Sequence, residues 1–372
     1  MIDNYDLKQL VHPLQTWFKS NARILPWREN PVAYYVWISE IMLQQTRVEA
    51  VKPYFDRFIR ELPDAKALAQ CPEDKLLKLW EGLGYYNRVR NLKIAANQIL
   101  EEYDGVIPSE YEELIKLKGI GSYTAGAIAS IAYGKSVPAV DGNVLRVISR
   151  VTADDGDIMK QSVRTHMEEK LLELMSSNKV IPSVFNQALM ELGATVCLPN
   201  GAPRCDACPW HEICEARKQN RIAELPVKSK AKARRIEEKT VFIIKDGEQL
   251  ALHKRPKKGL LAGLYELPNT EGHLTEEEVV AYVEGQGYTP IRVQAVCDAK
   301  HIFSHVEWHM KGYVVFLQAQ DYAARDGRKA EEWIFVDVEE TKENYAIPAA
   351  FVKYTEYLNL TIGKDAIAKV EE

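Results

Sequence analysis

Four of the six cysteines, Cys197, Cys205, Cys208 and Cys214, fall within 18 residues in the pattern C-x7-C-x2-C-x5-C. The chain opens MIDNYDLKQL, without the basic stretch and apolar core of a secretory signal, which points to the cytoplasm. Thiols that dense in such a setting are metal ligands rather than disulfides. A tight four-thiolate loop suits a [4Fe–4S] cluster or a structural zinc. Zinc ribbons use two CxxC knuckles; the single one here favours the cluster. Its loop also carries Arg204, with Arg217 and Lys218 after it, side chains that a rigid loop could hold towards phosphates. Cys71 and Cys297 read as packing or surface residues.

The 372 residues allow two or three domains. At 46% hydrophobic and 27% charged they fit neither fibrous nor disordered classes, and no apolar run approaches the ~18 residues of a membrane span. The net charge of −5 is unevenly spread. Residues 1–225 hold 27 basic against 29 acidic side chains, residues 226–240 hold 6 against 2, and residues 241–372 hold 15 against 22. The basic connector could lie along a polyanion or serve as a solvated tether.

Apolar residues recur at helical spacing over 33–45, 47–61, 73–80, 87–102, 110–117, 122–133, 142–151, 161–176 and 183–195. Pro, Gly and Asn punctuate these segments, so 1–225 reads as an all-α block. Beyond the linker the texture changes. TVFIIKDGEQLALHKRP (240–256) predicts strand, Asp-Gly turn and strand, TEEEVVAYVEGQG (275–287) a capped helix, and 291–319 and 333–340 further strands. The C-terminal part is an α+β module.

LKGIGSYTAGAIASIAYG (117–134) joins two helices through a G-I-G turn. Glycines there permit positive φ and close approach, so backbone N–H groups and a helix start could face a phosphate. Alone, the feature fits a simple tight turn better than a phosphate grip.

With the four-cysteine loop some 70 residues downstream, residues 1–225 resemble a DNA glycosylase of the endonuclease III type, a helix-hairpin-helix superfamily with two helical lobes flanking a cleft. VDGNV (140–144) stands where that superfamily has its landmark aspartate, about 20 residues past the hairpin. SEIMLQQT (39–46) narrows the resemblance to the adenine glycosylase (MutY) family, which excises adenine mispaired with 8-oxoguanine. The resemblance extends over essentially the whole chain. It implies a helical glycosylase domain over 1–225, with lobes 30–135 and 1–29 plus 136–225, a basic linker over 226–239 and a Nudix-like 8-oxoguanine recognition domain over 240–362. It also implies a [4Fe–4S] cluster on Cys197, Cys205, Cys208 and Cys214.

Breaking a purine–sugar bond needs a proton for the leaving base and negative charge for the cationic sugar, and two carboxyls suffice if their surroundings separate their pKa values. Glu40 lies in the apolar helix YYVWISEIML, where desolvation favours the neutral acid. Asp141 precedes a helix start, whose donors and dipole favour the anion. Read singly, Asp141 could be a plain N-cap and Glu40 a buried carboxylate paired with an arginine. The resemblance makes Glu40 the proton donor and later the water activator, and gives Asp141, with Asn143 in the catalytic set, the sugar cation. Bifunctional relatives carry a lysine after Ser122; here Tyr123 stands there, a phenol that cannot form an imine. A monofunctional glycosylase is expected, with Tyr123 in an auxiliary catalytic role.

Carried by motif position, Trp27 and Arg28 line the adenine pocket, and Gln187 offers an amide to an adenine edge. Gln45 fills the gap in the duplex with Leu43 nearby, Tyr85 wedges beside 8-oxoguanine, and Lys118, Gly119 and Gly121 face the phosphates. GLLAGLYELP (259–268) resembles a Nudix opening, but the following helix lacks the Arg-Glu pair and glutamate spacing of a Mg²⁺ site, so metal-dependent hydrolysis is expected to be absent. Phe303, Ser304 and His305 match the family's 8-oxoguanine-reading loop. Two departures stand out: seven residues rather than six separate the first two cysteines, and Lys118 replaces a common proline. Expected partners are duplexes with A·8-oxoG or A·G, met as a monomer in a bacterial-type cytoplasm and nucleoid. The rival readings are a glycosylase/lyase for oxidised pyrimidines, a Nudix nucleotide hydrolase with a DNA-binding appendage, and a non-catalytic lesion sensor.

Overall fold

The computed structural model describes residues 2–177, 179–229, 233–318 and 333–360. The chain forms two compact units: Met1–Gln70 with Arg90–Ala231, and Cys71–Val89 with Lys232–Glu372.

The helices up to Lys218 are α1 (Val11–Asn21), α2 (Pro26–Glu29), α3 (Ala33–Leu43), α4 (Val48–Glu61), α5 (Ala65–Gln70), α6 (Glu73–Leu79), α7 (Asn87–Glu102), α8 (Tyr111–Leu114), α9 (Ser122–Ala127), α10 (Gly142–Thr152), α11 (Gln161–Met175), α12 (Pro182–Thr195) and α13 (Glu215–Lys218). Of these, α6 belongs to the second unit. Most of the expected segments hold to within two residues. The stretch 110–117 is shorter than its periodicity suggests, because Lys116 and Leu117 donate to the carbonyls of Glu113 and Leu114, tightening the chain into turns ahead of the Gly119 reversal. The helix expected over 122–133 keeps α pitch only to Ala127 and widens to π pitch over Ile128–Ala132. There Ser130 Oγ donates to the Gly126 carbonyl (2.7 Å) and accepts from Asn186 Nδ2 (2.7 Å).

One core of the first unit joins α1, α10, α11 and α12 through Leu10, Leu14, Leu145, Ile148, Leu171, Phe185 and Leu189. Each such buried side chain contributes about 1.5–3 kcal/mol. Against that core stand Cys197, Cys208 and Cys214, and the buried Trp210 fastens their loop by donating Nε1–H to the Leu10 carbonyl (3.0 Å).

In the second unit the described residues form a seven-stranded sheet: β1 (Arg235–Asp246), β2 (Gln249–Lys254), β3 (Tyr265–Glu266), β4 (Asn269–Glu271), β5 (Pro290–Ile302), β6 (Val306–Leu317) and β7 (Trp333–Asp337). The main order is β3-β2-β1-β6-β5, with β4 on β1 and β7 on β2. The β1–β6 pair is parallel, and the Asp246-Gly247 turn makes the expected hairpin. Both faces of the sheet are buried. Val241, Ile243, Trp308, Phe351 and Tyr354 pack on one side; Phe242, Ile244, Val315 and Val283 of α14 (Glu276–Gly285) pack on the other. Thr275 and Glu278 form a reciprocal capping box at the start of α14, as an acidic first turn favours.

Candidate active site

Eight of the eleven residues of α3 are buried, Glu40 among them at 6% exposure. α3 packs against α9, and Tyr123 on α9 donates its hydroxyl proton to Glu40 Oε2 in a short hydrogen bond. Burial pushes the Glu40 carboxyl up. The Tyr123 hydroxyl counteracts this, the Asp141 charge adds to it and Arg28 opposes it, leaving a pKa of about 7. The same burial, beside two carboxyls, raises the Tyr123 phenol far above its ordinary range and keeps it a neutral donor. The arginine-paired alternative for Glu40 is thereby narrowed: Arg28 acts on it only through its field.

Asp141 caps α10. Oδ1 accepts from the Val144 N–H (2.7 Å) and Oδ2 from Asn143 Nδ2 (2.7 Å). The sequence suggests an anion at this helix mouth. Burial raises the carboxyl above its ordinary value even so, against the pull of those donors and of Arg146. The two acids therefore differ in donor set: Glu40 receives one phenol, whereas Asp141 receives a backbone amide, a side-chain amide and an arginine field, all of which favour its charged form.

The approach to Asp141 is built by close backbone packing. A Cβ on Gly126 would stand 2.1 Å from the Pro138 carbonyl oxygen, so only glycine lets α9 lie against residues 138–139. Asn186, 1% exposed, staples the same segment: Nδ2 donates to Val137 O (2.8 Å) and Oδ1 accepts from the Ala139 N–H (3.1 Å). Residue-by-residue reading passed over Asn186 in favour of its neighbour Gln187. The half-buried Gln187 donates Nε2–H to Ser183 O of its own helix (3.1 Å).

Sequence reading also missed Glu191. Its fully buried carboxylate takes Arg23 bidentately (2.6 and 3.1 Å) and Arg28 Nη2 at 2.8 Å. Burial pushes the Glu191 carboxyl up, but Arg23 and Arg28 outweigh it and hold it below the usual range. Its partners lie 168 and 163 residues away in sequence, so no local pattern announces it. Trp27 is 6% exposed and meets Phe55 edge-on at 5.3 Å.

Leu43 is half-buried at the end of α3, while Gln45 just beyond it is exposed with φ +62°. A left-handed glutamine is uncommon. In the hairpin, Gly119 has φ +78° and a Cβ there would strike Asn91 at 2.7 Å. Gly121 corrects the expectation for this turn: its φ is −97°, and open space lies where its Cβ would be. Lys118 is exposed and its backbone N–H donates to Gln98 Oε1 (2.8 Å).

In the second unit, Tyr85 is 53% exposed at φ +49°. Its hydroxyl lies 3.1 Å from Ser304 Oγ. Phe303 packs edge-on against Trp308 at 4.8 Å, leaving Ser304 and His305 exposed beside it.

Cys197, Cys205, Cys208 and Cys214 line one pocket with Arg150, His211 and Arg217. Among the described residues no group of three or more His, Cys, Asp or Glu is gathered so as to hold a single metal ion. The donor chemistry nevertheless fits a cationic group. Burial, then the neighbouring thiols, push Cys208 up to about 12 and raise Cys205, while burial also raises Cys214. These three sulfurs and that of Cys197 can be thiolates together only around positive charge. Arg150 Nη1 also donates to Cys197 Sγ at 3.4 Å. One turn earlier, Arg146 donates Nε–H to the Cys197 carbonyl (2.9 Å) and Nη2–H to Asn143 Oδ1 (2.9 Å). An unbroken hydrogen-bond chain thus runs from the cysteine loop to Asp141.

Residues 38–173 match the HhH-GPD superfamily of base excision DNA repair proteins, and residues 240–357 match a Nudix domain model. The chain is 33% identical to the adenine DNA glycosylase of Mus musculus, over 89% of this chain and 75% of that protein. It is also 33% identical to that of Buchnera aphidicola subsp. Acyrthosiphon pisum, over 84% and 87%. A solved thermostable thymine-DNA glycosylase superposes with a TM-score of 0.50 at 27% identity, covering 57% of this chain and 96% of that one. A buried Glu40 on α3, Asp141 at the cap of α10, a four-cysteine pocket and a Nudix-like sheet thus accompany a shared sequence, and the chain belongs to the adenine DNA glycosylase family.

Proposed function

We propose that the protein is a monofunctional DNA glycosylase of base excision repair that releases adenine from duplex DNA when 8-oxoguanine or guanine stands opposite. The observation that carries the reading is the pairing of a buried Glu40, with a pKa of about 7, and an Asp141 whose donors favour its anion. A carboxylic acid still half-protonated near neutral pH can give its proton to a purine nitrogen as the base departs. Asp141 then offers negative charge to the cationic sugar, and Glu40, now ionised, can take a proton from water. Tyr123 orients Glu40 and has no amine with which to form an imine. Arg28, held by Glu191, supplies a fixed positive field at the edge of this site.

Cys197, Cys205, Cys208 and Cys214 would hold a [4Fe–4S] cluster, which would fix the loop carrying Arg204; Arg146 links that loop to the side chain of Asn143. Gln45 and Tyr85, both strained and exposed, suit entry into a distorted duplex, and Ser304 with His305 suits recognition of the base left behind. The protein would act as a monomer on chromosomal DNA in a bacterial-type cytoplasm.

The test is single-turnover incubation with duplexes carrying one A·8-oxoG, A·G, A·T or thymine-glycol pair, scored for alkali-revealed breaks. Breaks at the first two, with A·8-oxoG the faster, support the reading. Breaks at thymine glycol, or without alkali, contradict it.

A further inference from the structure

Residues 71–89 interrupt the first unit in sequence but pack with the second. A desolvated ion pair holds them there. Lys78 Nζ on α6 donates to Glu81 Oε2 (2.8 Å) and to the carbonyls of Thr341 (3.0 Å) and Tyr345 (3.1 Å). Glu81 Oε1 in turn accepts the N–H of the fully buried Ile347 (2.7 Å). The two side chains are only 16% and 7% exposed. All three ammonium protons and both carboxylate oxygens are engaged, and three of the contacts go to the backbone of 341–347. An outer pair on the same helix, Lys254 with both Asp74 oxygens (2.9 and 3.1 Å), ties α6 to β2.

A buried ion pair adds little stability compared with apolar packing of the same volume, but in some proteins it selects one register. The register fixed here is that of the loop after α6. Trp80 Nε1 donates to the Gly84 carbonyl (3.1 Å), and Arg88 Nη2 closes the loop on the carbonyls of Leu83 (3.0 Å) and Gly84 (3.1 Å). Arg88 also lies over the rings of Trp80 and Tyr85. Tyr85, directly after Gly84, is in its left-handed conformation with its hydroxyl on Ser304.

We infer that Lys78 and Glu81 are positioning residues for opposite-base selection: by clamping α6 to 341–347 they set Tyr85 against Ser304, so that the two hydroxyls meet the base opposite adenine as one rigid element. This rests on the proposed preference for 8-oxoguanine. The pair's high burial and its four hydrogen bonds are otherwise unaccounted for by the chemistry at Glu40 and Asp141, which belong to the other unit.

The test uses the full-length protein and the single-turnover rate ratio between A·8-oxoG and A·G duplexes. Lys78→Met keeps the aliphatic stem and removes the three donors. Its ratio should fall about tenfold, mainly through the A·8-oxoG rate, and Lys78→Arg should recover part of it. In a Tyr85→Leu background, Lys78→Met should change the ratio no further, because both act through the same contact. Should Lys78→Met prove insoluble, Asp74→Asn, at a half-exposed pair, should lower the ratio about twofold to threefold in a folded protein. An unchanged ratio in a folded Lys78→Met or Asp74→Asn protein, parallel loss of both rates, or full additivity with Tyr85→Leu overturns the inference. A wild-type protein without 8-oxoguanine preference instead overturns the reading on which it rests.

Discussion

Tyr123 donates a hydrogen bond from its hydroxyl to Oε2 of Glu40 across 83 residues of sequence, and so sets both the direction and the acidity of the buried carboxyl. The bond lowers the Glu40 pKa against the rise caused by burial. Tyr123→Phe should therefore move it further up and free the carboxyl to rotate. Excision should slow about tenfold, the worth of one oriented hydrogen bond at ~1.4 kcal/mol. The alkaline limb of the pH–rate profile should shift to higher pH; a shift to lower pH contradicts the assignment. Borohydride should trap no covalent adduct with the wild-type protein.

The raised Glu40 pKa also has a cost in stability. The folded pKa of about 7 exceeds the ordinary 4.5, so between those values the native state binds more protons than the unfolded chain. The stabilising contribution is fully present below pH 4.5 and is lost as pH rises through about 7. Glu40→Gln should then be more stable than wild type at pH 8, by up to about 3 kcal/mol, and show little gain at pH 4.5. Denaturant unfolding at the two pH values checks both the size and the sign.

Glu191→Gln should be strongly destabilising, because Arg23 and Arg28 lose their shared anion in a buried setting. The loss expected from breaking such a pair is about 3–5 kcal/mol. Asn186→Leu removes three hydrogen bonds that hold Ser130, Val137 and Ala139 and should cost roughly 2–4 kcal/mol. Thermal melts check the size of both losses.

Arg146→Met should break the hydrogen-bond chain between the Cys197 carbonyl and Asn143. Excision should fall by tenfold or more, and the iron content per mole should drop with it. Full iron loading with wild-type activity would show that the cysteine loop and Asp141 are independent.

The sequence made the chemistry more legible than its supports. Glu40 stood out because an acid inside YYVWISEIML has few solvated faces, and Asp141 because Asp-Gly-Asn opens a helix. Both are local patterns. The helices of the first unit were readable for the same reason, since periodicity survives without knowledge of partners. Glu191, Arg146 and Asn186 announce nothing locally: their roles depend on groups brought together only by the fold. The charge expected on Asp141 came from its cap donors alone, because its burial cannot be read from a half-polar turn. Gly121 was misread because a glycine in a turn suggests positive φ, whereas the left-handed residue of this hairpin is Gly119. Nothing in the helical period of 73–80 shows that α6 packs on the sheet module, since the clamp's partners are the backbone of 341–347.

The most direct measurement is single-turnover adenine release by Glu40→Gln from an A·8-oxoG duplex, with binding followed on the same duplex. Glutamine matches glutamate in size but has no carboxyl proton to donate. Release should become undetectable while duplex affinity stays within about threefold of wild type. Release near the wild-type rate would mean that the proton reaches adenine from another group, and the two-carboxyl account would be wrong.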